Sequence, residues 1–399
     1  MAVYVRSRMF FSVSILVMLA AGAYVSCRLL AGRQLPLWLI IALTCFILLI
    51  SQTISLMRLL IISAAKIPFA WLRVGGFMAC LFTTAVSLLV VRDLVLILLW
   101  IGQRMPGAAA TAALAAWLNT PRADACLLGG SVLAAAFFMW RTLRVPRIRE
   151  VEISMDALPH ELDGLRLAQL SDLHMGSTFN GQWLREVVER TNAMQPDFVL
   201  LTGDLVDGRP AVLGEDMKAL GTLKARYGVL ITVGNHEYYS GLMPWVQTWR
   251  QQGLTVLLNE HRVFMINGVP LLIAGVTDPS AARFSGLSLP DPEQAKAGSP
   301  HAFSILMAHQ PKDAARHAAL GYTLQVSGHT HGGQYVFMFP LVSWLNRGYR
   351  SGLYEVQGMK LYVSPGTGLW GYVPMRVGSP SEISILTLTC PRPAGGDRK

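Results

Sequence analysis

Four stretches of this chain, residues 9–27, 34–57, 74–91 and 125–140, carry no charged side chain. Each has about the length that a ~30 Å hydrocarbon layer demands of a helix. No other feature limits the fold as much. The composition agrees, since 52% hydrophobic against 15% charged residues is unusual for a purely soluble protein. Arg6 and Arg8 precede the first run in the manner of a signal peptide. That run lacks a clear small-residue cleavage site and a second one follows almost at once, which favours an uncleaved helix. The third run can extend through Leu94 to Ile101 as a long or broken helix. On the simplest reading Arg92 and Asp93 inside it form an interfacial pair, and the alternative is a functional site within the membrane. The Ala-rich residues 106–118 leave a fifth span open.

Charge is divided unevenly. Residues 1–150 hold fourteen Arg and Lys against Asp93, Asp124 and Glu150, leaving 20 basic and 21 acidic residues for the rest. A basic excess confined to the flanks of apolar runs is what membrane topology requires, so no nucleic-acid partner is expected despite the formal charge of +10. With four spans, one side of the bilayer carries Arg6, Arg8, Arg58, Lys66, Arg73, Arg141, Arg144, Arg147 and Arg149, and the other Arg28, Arg33, Arg104 and Arg122. The richer side, and with it the second half of the chain, is expected to be cytoplasmic; a fifth span reverses this. The expected organisation is a transmembrane region over 1–145, a second domain over 150–390 and a disordered tail over 391–399. None of Cys27, Cys45, Cys80, Cys126 and Cys390 falls at zinc-ligand spacing, and no disulfide framework is implied.

From Val151 the pattern changes to short β-rich runs punctuated by Gly, Pro and Asn, alternating at first with helical segments at 181–194 and 217–224, as in an α/β domain. Leu165–Leu170 ends in Ser-Asp-Leu-His, Phe198–Thr202 in Gly-Asp-Leu-Val-Asp, and Gly228–Val233 in Gly-Asn-His-Glu. Phe303–Ala308 ends in His309, and Thr323–Ser327 runs into Gly-His-Thr-His-Gly-Gly-Gln. Each apolar run thus delivers metal-competent side chains at its carboxyl end, where open α/β sheets place ligands. Residues 263–276 predict a hairpin turning at Asn267-Gly268, and 353–356, 360–363 and 383–388 predict further strands.

All nine histidines lie between His160 and His331, so the chemistry belongs to this half. Asp172 and His174 stand two apart and can point the same way from an extended strand end. Asp204 offers a carboxylate that can bridge two ions, Asn235 a neutral amide oxygen, and His309, His329 and His331 imidazoles. Mixed shells of this kind suit divalent cations such as Mn²⁺, Fe²⁺ and Zn²⁺, and two such ions about 3.5–4 Å apart serve in-line phosphoryl displacement.

These segments, Asp172-Leu-His174, Gly203-Asp204, Gly234-Asn235-His236-Glu237, Ala308-His309 and Gly328-His329-Thr-His331, taken in order, resemble those of the calcineurin-like metallophosphoesterases. The resemblance covers roughly residues 150–390. Together with Asn-His-Glu-Tyr-Tyr, Gly-His-Thr-His-Gly-Gly-Gln and Trp370-Gly371 after a membrane region, it is similar to the subfamily of transmembrane proteins with a metallophosphoesterase domain. That subfamily in turn resembles bacterial lipid A pathway hydrolases of UDP-2,3-diacylglucosamine. The resemblance implies a four-layer αββα sandwich preceded by an all-α transmembrane bundle. It also implies one ion on Asp172, His174, Asp204 and His331 and a second on Asp204, Asn235, His309 and His329, with a metal-bridging hydroxide as nucleophile. His236 would then protonate the leaving oxygen or stabilise the transition state. The implied protein is a multi-pass enzyme, in a bacterial inner membrane, acting on a phosphoester or pyrophosphate that a lipid-linked substrate would carry. A non-catalytic membrane scaffold that has kept the fold is the alternative.

Asp207 and Glu237 are expected to hydrogen-bond a ligand or a loop rather than coordinate, and His160, His261, His301 and His317 to be surface or packing residues. Gly332 and Gly333 are expected to turn the backbone near the site. The aromatic and Arg-bearing segment 335–354 either admits an acyl chain beside an anionic head group or packs over the sheet. Residues 279–300 are an excursion that can line a substrate entrance.

Overall fold

The computed structural model describes residues 2–62, 68–104, 109–176 and 178–391. Lys66, the beginning of the Ala-rich stretch and the expected tail from 392 lie outside the described residues. The chain forms two compact units, Met1–Leu143 with Gly371–Met375, and Arg144–Trp370 with Arg376–Lys399.

The first unit comprises α1 (Ala2–Leu30), α2 (Leu37–Ser51), α3 (Thr53–Ile62), α4 (Phe69–Gly102), α5 (Ala109–Leu118) and α6 (Pro121–Thr142). Among the described residues, Ser12–Leu30, Phe69–Gly102 and Pro121–Thr142 are the helices long and apolar enough to cross a membrane, where four were expected. The stretch 34–57 is instead parted at Gln52 into two shorter helices. Ser51 Oγ and Thr53 Oγ1 donate to the carbonyls of Leu48 and Ile50 at 2.7 and 2.6 Å, and such side chains compete with the helical ladder. By contrast α4 runs unbroken through Arg92 and Asp93. These two approach each other at 3.6 Å, but their shorter bonds go elsewhere: Asp93 accepts from Tyr24 at 2.7 Å and Arg28 at 2.8 Å, and Arg92 donates to Asp124 at 2.7 Å. Arg33 also pairs with Asp124. Each of these charges therefore meets an opposite one, as burial in apolar surroundings requires.

The second unit holds β1 (Arg147–Ser154), β2 (Arg166–Leu170), α7 (Gly181–Ala193), β3 (Phe198–Thr202), α8 (Pro210–Met217), β4 (Gly228–Thr232), α9 (Asn235–Ser240), α10 (Leu242–Gln251), β5 (Thr255–Val256), β6 (Glu260–Ile266), β7 (Val269–Gly275), β8 (Phe303–Met307), α11 (Ala314–Ala319), β9 (Leu324–Ser327), α12 (Phe339–Leu345), β10 (Gly352–Val356), β11 (Met359–Val363) and β12 (Glu382–Thr389). They build two mixed six-stranded sheets, ordered β1-β12-β2-β3-β4-β5 and β10-β11-β9-β8-β7-β6. The pairs β2–β3–β4 and β7–β8–β9 are parallel, while β12–β2, β6–β7 and β10–β11 are antiparallel.

Side chains alternate across a strand, so β3 sends Phe198 and Leu200 inward. There they join Leu167, Leu230 and Leu386 of their own sheet and Ile273, Phe303, Ile305, Leu324 and Val326 of the other in one fully buried core. The opposite face of the second sheet packs Leu272, Ala274, Leu306 and Val363 on Ala314 of α11. Strands covered on both faces read as continuous apolar runs, and all five residues of β3 and of β8 are buried. The helix expected over 217–224 is instead α8 followed by a 3₁₀ turn at Lys218–Thr222. Pro210 in its first turn marks the start. Strand β1 lies outside the expected strands, because its Arg and Glu positions face solvent and mask the alternation.

Candidate metal centre

Parallel pairing within each sheet brings the carboxyl ends of β2, β3, β4, β8 and β9 to one rim. The rim is tied across the sandwich: Gln169 Nε2 donates to Ser327 O, Thr232 Oγ1 to Val276 O, and His309 Nδ1 to Thr202 O, at 2.9, 2.6 and 2.8 Å. Residues just beyond the strands must therefore turn inward at once. Asp172, His174, Asp204, His329 and His331 all do so with left-handed backbone, at φ of 55°, 46°, 53°, 68° and 49°. For non-glycine residues that conformation costs about 1–3 kcal/mol each and persists where the surroundings impose it.

Glycines make the approach possible. A Cβ on Gly328 would collide with Ser171 Oγ and the Asp172 carboxylate, and one on Gly234 with the Asp204 carboxylate and, at 2.8 Å, the His309 ring. Gly332 and Gly333 have φ of 58° and 79° and turn the chain directly after His331.

Two groups of ligand-type atoms result. Asp172, His174 and His331 form one, and Asp204, His309 and His329 the other. In the first, His331 Nε2 is 3.2 Å from Asp172 Oδ1 and 3.1 Å from His174 Nε2. In the second, His309 Nε2 is 3.1 Å from Asp204 Oδ2, and the His309 and His329 rings meet edge to face at 5.1 Å. Asp204 Oδ2 also lies 3.8 Å from His174 Nε2, which puts this carboxylate between the groups.

The residues fit divalent cations on a structural test. His309 Nδ1 is spent on the Thr202 carbonyl, so Nε2 is turned inward to the Asp204 carboxylate, 3.1 Å away, and the buried Asn235 amide oxygen has no hydrogen-bond partner. Buried acceptors left unsatisfied are costly and uncommon, and a mixed oxygen and imidazole set is what borderline metals accept. Six of the seven expected ligands, all but Asn235, fall in these two groups.

Asp207 and Glu237 serve the others. His174 Nδ1 and His236 Nδ1 both donate to Asp207 Oδ1, at 3.0 and 2.5 Å, so one carboxylate orients two rings. These three side chains form a third close group. Burial would raise the Asp207 acid, but His174 and His236 hold it well below the usual carboxylate range. Glu237, fully buried, accepts the backbone N–H groups of Asp204, Leu205 and Gly234 at 2.9, 2.7 and 2.7 Å. His236 stands half-buried with its ring edge-on to His174 at 4.4 Å and its Nε2 4.0 Å from Asp204 Oδ2. Burial opposes its charge, yet Asp204 and Asp207 push its pKa up to about 9.

Arg376 is the residue the sequence did not flag. It is buried and donates to the carbonyls of His331, Ser379, Pro365 and Gly368, with Nη2 3.1 Å from His331 Nδ1. It clamps the turn that carries a ligand, and a lone Arg between Met375 and Val377 gives no local sign of that. The excursion 279–300 reaches the site through Arg283, which donates to Tyr239 OH at 3.0 Å, and Tyr239 in turn meets the His236 ring at 5.4 Å. His261 Nδ1 bonds the Ala295 carbonyl and His317 Nδ1 the Gln325 amide, as packing residues do.

The model of the family described as calcineurin-like phosphoesterase matches residues 165–333, the segment that supplies every ligand named above. A Helicobacter pylori protein called an uncharacterized metallophosphoesterase is 36% identical over 266 residues, 65% of this chain and 69% of that one. The chain belongs to the calcineurin-like phosphoesterase family. A second relative of this calcineurin-like phosphoesterase, from Danio rerio, is called a transmembrane protein with metallophosphoesterase domain. It is 35% identical over 268 residues, 65% of this chain, and the match spans only 61% of the zebrafish protein. Among solved structures, a 5'-nucleotidase precursor from Thermus thermophilus overlaps at a TM-score of 0.36 and 16% identity, over 56% of this chain and 55% of that one.

Metal uptake by this family member is expected to release protons. Burial works against a charged His309, but Asp204 outweighs it and holds the imidazole well above its usual pKa. In the metal-free protein the Asp204 carboxylate thus favours a proton on Nε2, and an ion must displace that proton. Apparent affinity should rise with pH, by about tenfold per unit for each proton released, until His309 titrates. Calorimetric titration of the metal-free protein in buffers of different ionisation enthalpy measures this directly; affinity that is flat across the imidazole range, roughly pH 6 to 8, would contradict it.

Proposed function

We propose that this protein is a membrane-anchored hydrolase of a phosphoester or pyrophosphate bond that works with two divalent ions. One ion would be held by Asp172, His174, Asp204 and His331 and the other by Asp204, Asn235, His309 and His329. The observation that carries this reading is the gathering of two acid and imidazole groups that meet at Asp204, together with a buried Asn235 amide oxygen that has no hydrogen-bond partner. When bound, the ions would polarise the phosphoryl oxygens and make the attacking water more acidic.

The side chains do the rest. His236 is anchored through Nδ1 by Asp207 and turns Nε2 toward the rim. In the metal-free protein Asp204 and Asp207 favour a proton on this ring, and a protonated His236 would suit an acid that gives its proton to the leaving oxygen. Arg376 fixes the His331 turn, and Glu237 fixes the Asp204 and Gly234 backbones.

A lipid-linked substrate is favoured by the tether. Only residues 143–146 lie between α6 and β1, and four residues reach about 14 Å at most, so the catalytic unit works beside the bilayer that holds α6. The Arg cluster at 141, 144, 147 and 149 supports a cytoplasmic position for it.

The test is hydrolysis of bis-p-nitrophenyl phosphate, p-nitrophenyl phosphate and UDP-linked diacylglucosamine by the full-length protein loaded with Mn²⁺, Fe²⁺ or Zn²⁺. Turnover that a chelator abolishes and metal restores is the expected result, and the preferred substrate distinguishes diester, monoester and pyrophosphate chemistry. Stoichiometric metal binding with no turnover on any of them would favour a non-catalytic scaffold.

A further inference from the structure

Directly after the His331 turn the chain enters a short 3₁₀ turn at Val336–Met338 and then α12. One side of this element is firmly seated. Phe339 lies where a Cβ on Gly333 or Gly378 would strike it, at 2.7 and 3.0 Å, and the Arg350 guanidinium covers its ring at 3.9 Å. Asn346, buried, closes the helix by bonding the Val342 carbonyl through both its backbone and its amide nitrogen, at 3.1 and 2.9 Å.

The other side faces outward with large apolar groups. Phe337 is 68% exposed, Trp344 77% and Leu345 58%, with Val336 and Leu341 beside them also exposed. Single exposed hydrophobic residues need no explanation, but five within ten residues on a rigid element mark a contact surface. No Asp or Glu occurs from 332 to 354, whereas Arg347 and Arg350 do, and Arg347 is exposed. An apolar face that carries a Trp, is bordered by Arg and lacks acids has the chemistry of the headgroup and acyl boundary of an anionic bilayer. The four-residue tether after α6 keeps this unit within reach of such a surface.

We infer that Val336–Leu345 is a bilayer-contact element, which inserts Phe337, Trp344 and Leu345 at the lipid interface and sets the His331 rim of the metal centre against the membrane. The inference rests on the membrane-spanning part of the function proposed above and not on its chemistry. It also goes beyond it, because it names the surface that would present a lipid-borne phosphate to the ions.

The experiment uses the full-length protein in nanodiscs of phosphatidylcholine and phosphatidylglycerol that contain a lipid with a photoactivatable diazirine near the carbonyl end of its acyl chain. After irradiation, peptides are mapped by tandem mass spectrometry. The expected result is adducts on the peptide containing 336–345 as well as on Ser12–Leu30, Phe69–Gly102 and Pro121–Thr142. The 336–345 adducts should be largely lost in the double variant Phe337→Ser with Trp344→Ser, while the helix adducts persist. Labelled helices with an unlabelled 336–345 peptide would overturn the inference and leave the spanning reading intact. Cross-linking of 336–345 to a second copy of the chain in place of lipid would overturn it too. Unlabelled helices would remove the spanning reading itself, and the inference with it.

Discussion

Asp204→Asn is expected to lower kcat on any phosphoester by on the order of 10³-fold or more, with the fold retained. Asp204 is buried, its Oδ1 accepts the His236 backbone N–H at 2.8 Å, and its Oδ2 lies 3.1 Å from His309 and 3.8 Å from His174. It thus lies within reach of both ligand groups. An amide keeps the shape and can still accept from His236. It has lost the charge that would hold two cations together, and it turns an NH₂ toward an imidazole lone pair. Circular dichroism and thermal unfolding of the metal-free variant should match wild type, while its bound metal falls below two per chain. A variant with wild-type turnover would remove Asp204 from the centre of the account.

Glu237→Ala is expected to destabilise the catalytic unit by about 3 kcal/mol or more, lowering Tm by about 6–12 °C for a unit of this size. Its two oxygens accept three backbone N–H groups, those of Asp204, Leu205 and Gly234, in a place that water does not reach. Removing the carboxylate strands all three donors, and each unsatisfied donor costs about 1–3 kcal/mol. Glu237→Gln should recover part of the loss. The Asp204 and Gly234 N–H groups share Oε2, which an amide oxygen can replace, but the amide NH₂ must then face the Leu205 N–H. Scanning calorimetry of the three proteins without metal gives the order wild type, Gln, Ala. An Ala variant as stable as wild type would show that these donors find other partners.

The candidate ligands were legible in the sequence because each follows its strand by two to four residues, so an apolar run and the polar motif after it form one local signal. Asp172, His174 and His331 come together in one group and Asp204, His309 and His329 in another, while Asp207 and Glu237 hydrogen-bond neighbouring rings and backbone. What escaped depends on contacts distant in the chain. Arg376 acts on carbonyls at 331, 365, 368 and 379, and no window around it contains that pattern. The left-handed backbone at Asp172, Asp204 and His331 runs against local preference, and only the tertiary structure imposes it. In the apolar half, counting uncharged residues could not reveal the break at Gln52, since a Ser-Gln-Thr run changes hydropathy little yet supplies three side chains that bond the local backbone and one another. The same counting put Arg92 and Asp93 beside each other as a pair, whereas their shorter bonds go to Asp124, Arg28 and Tyr24 on other helices.

The central claim is that two ions sit together at Asp204. Electron paramagnetic resonance of the full-length protein loaded with Mn²⁺, taken with its metal content, tests this most directly. The account predicts two ions per chain with the spectrum of an exchange-coupled pair, replaced in Asp204→Asn by that of an isolated ion. One ion per chain, or two that show no coupling in a protein that still turns over phosphoesters, would contradict it.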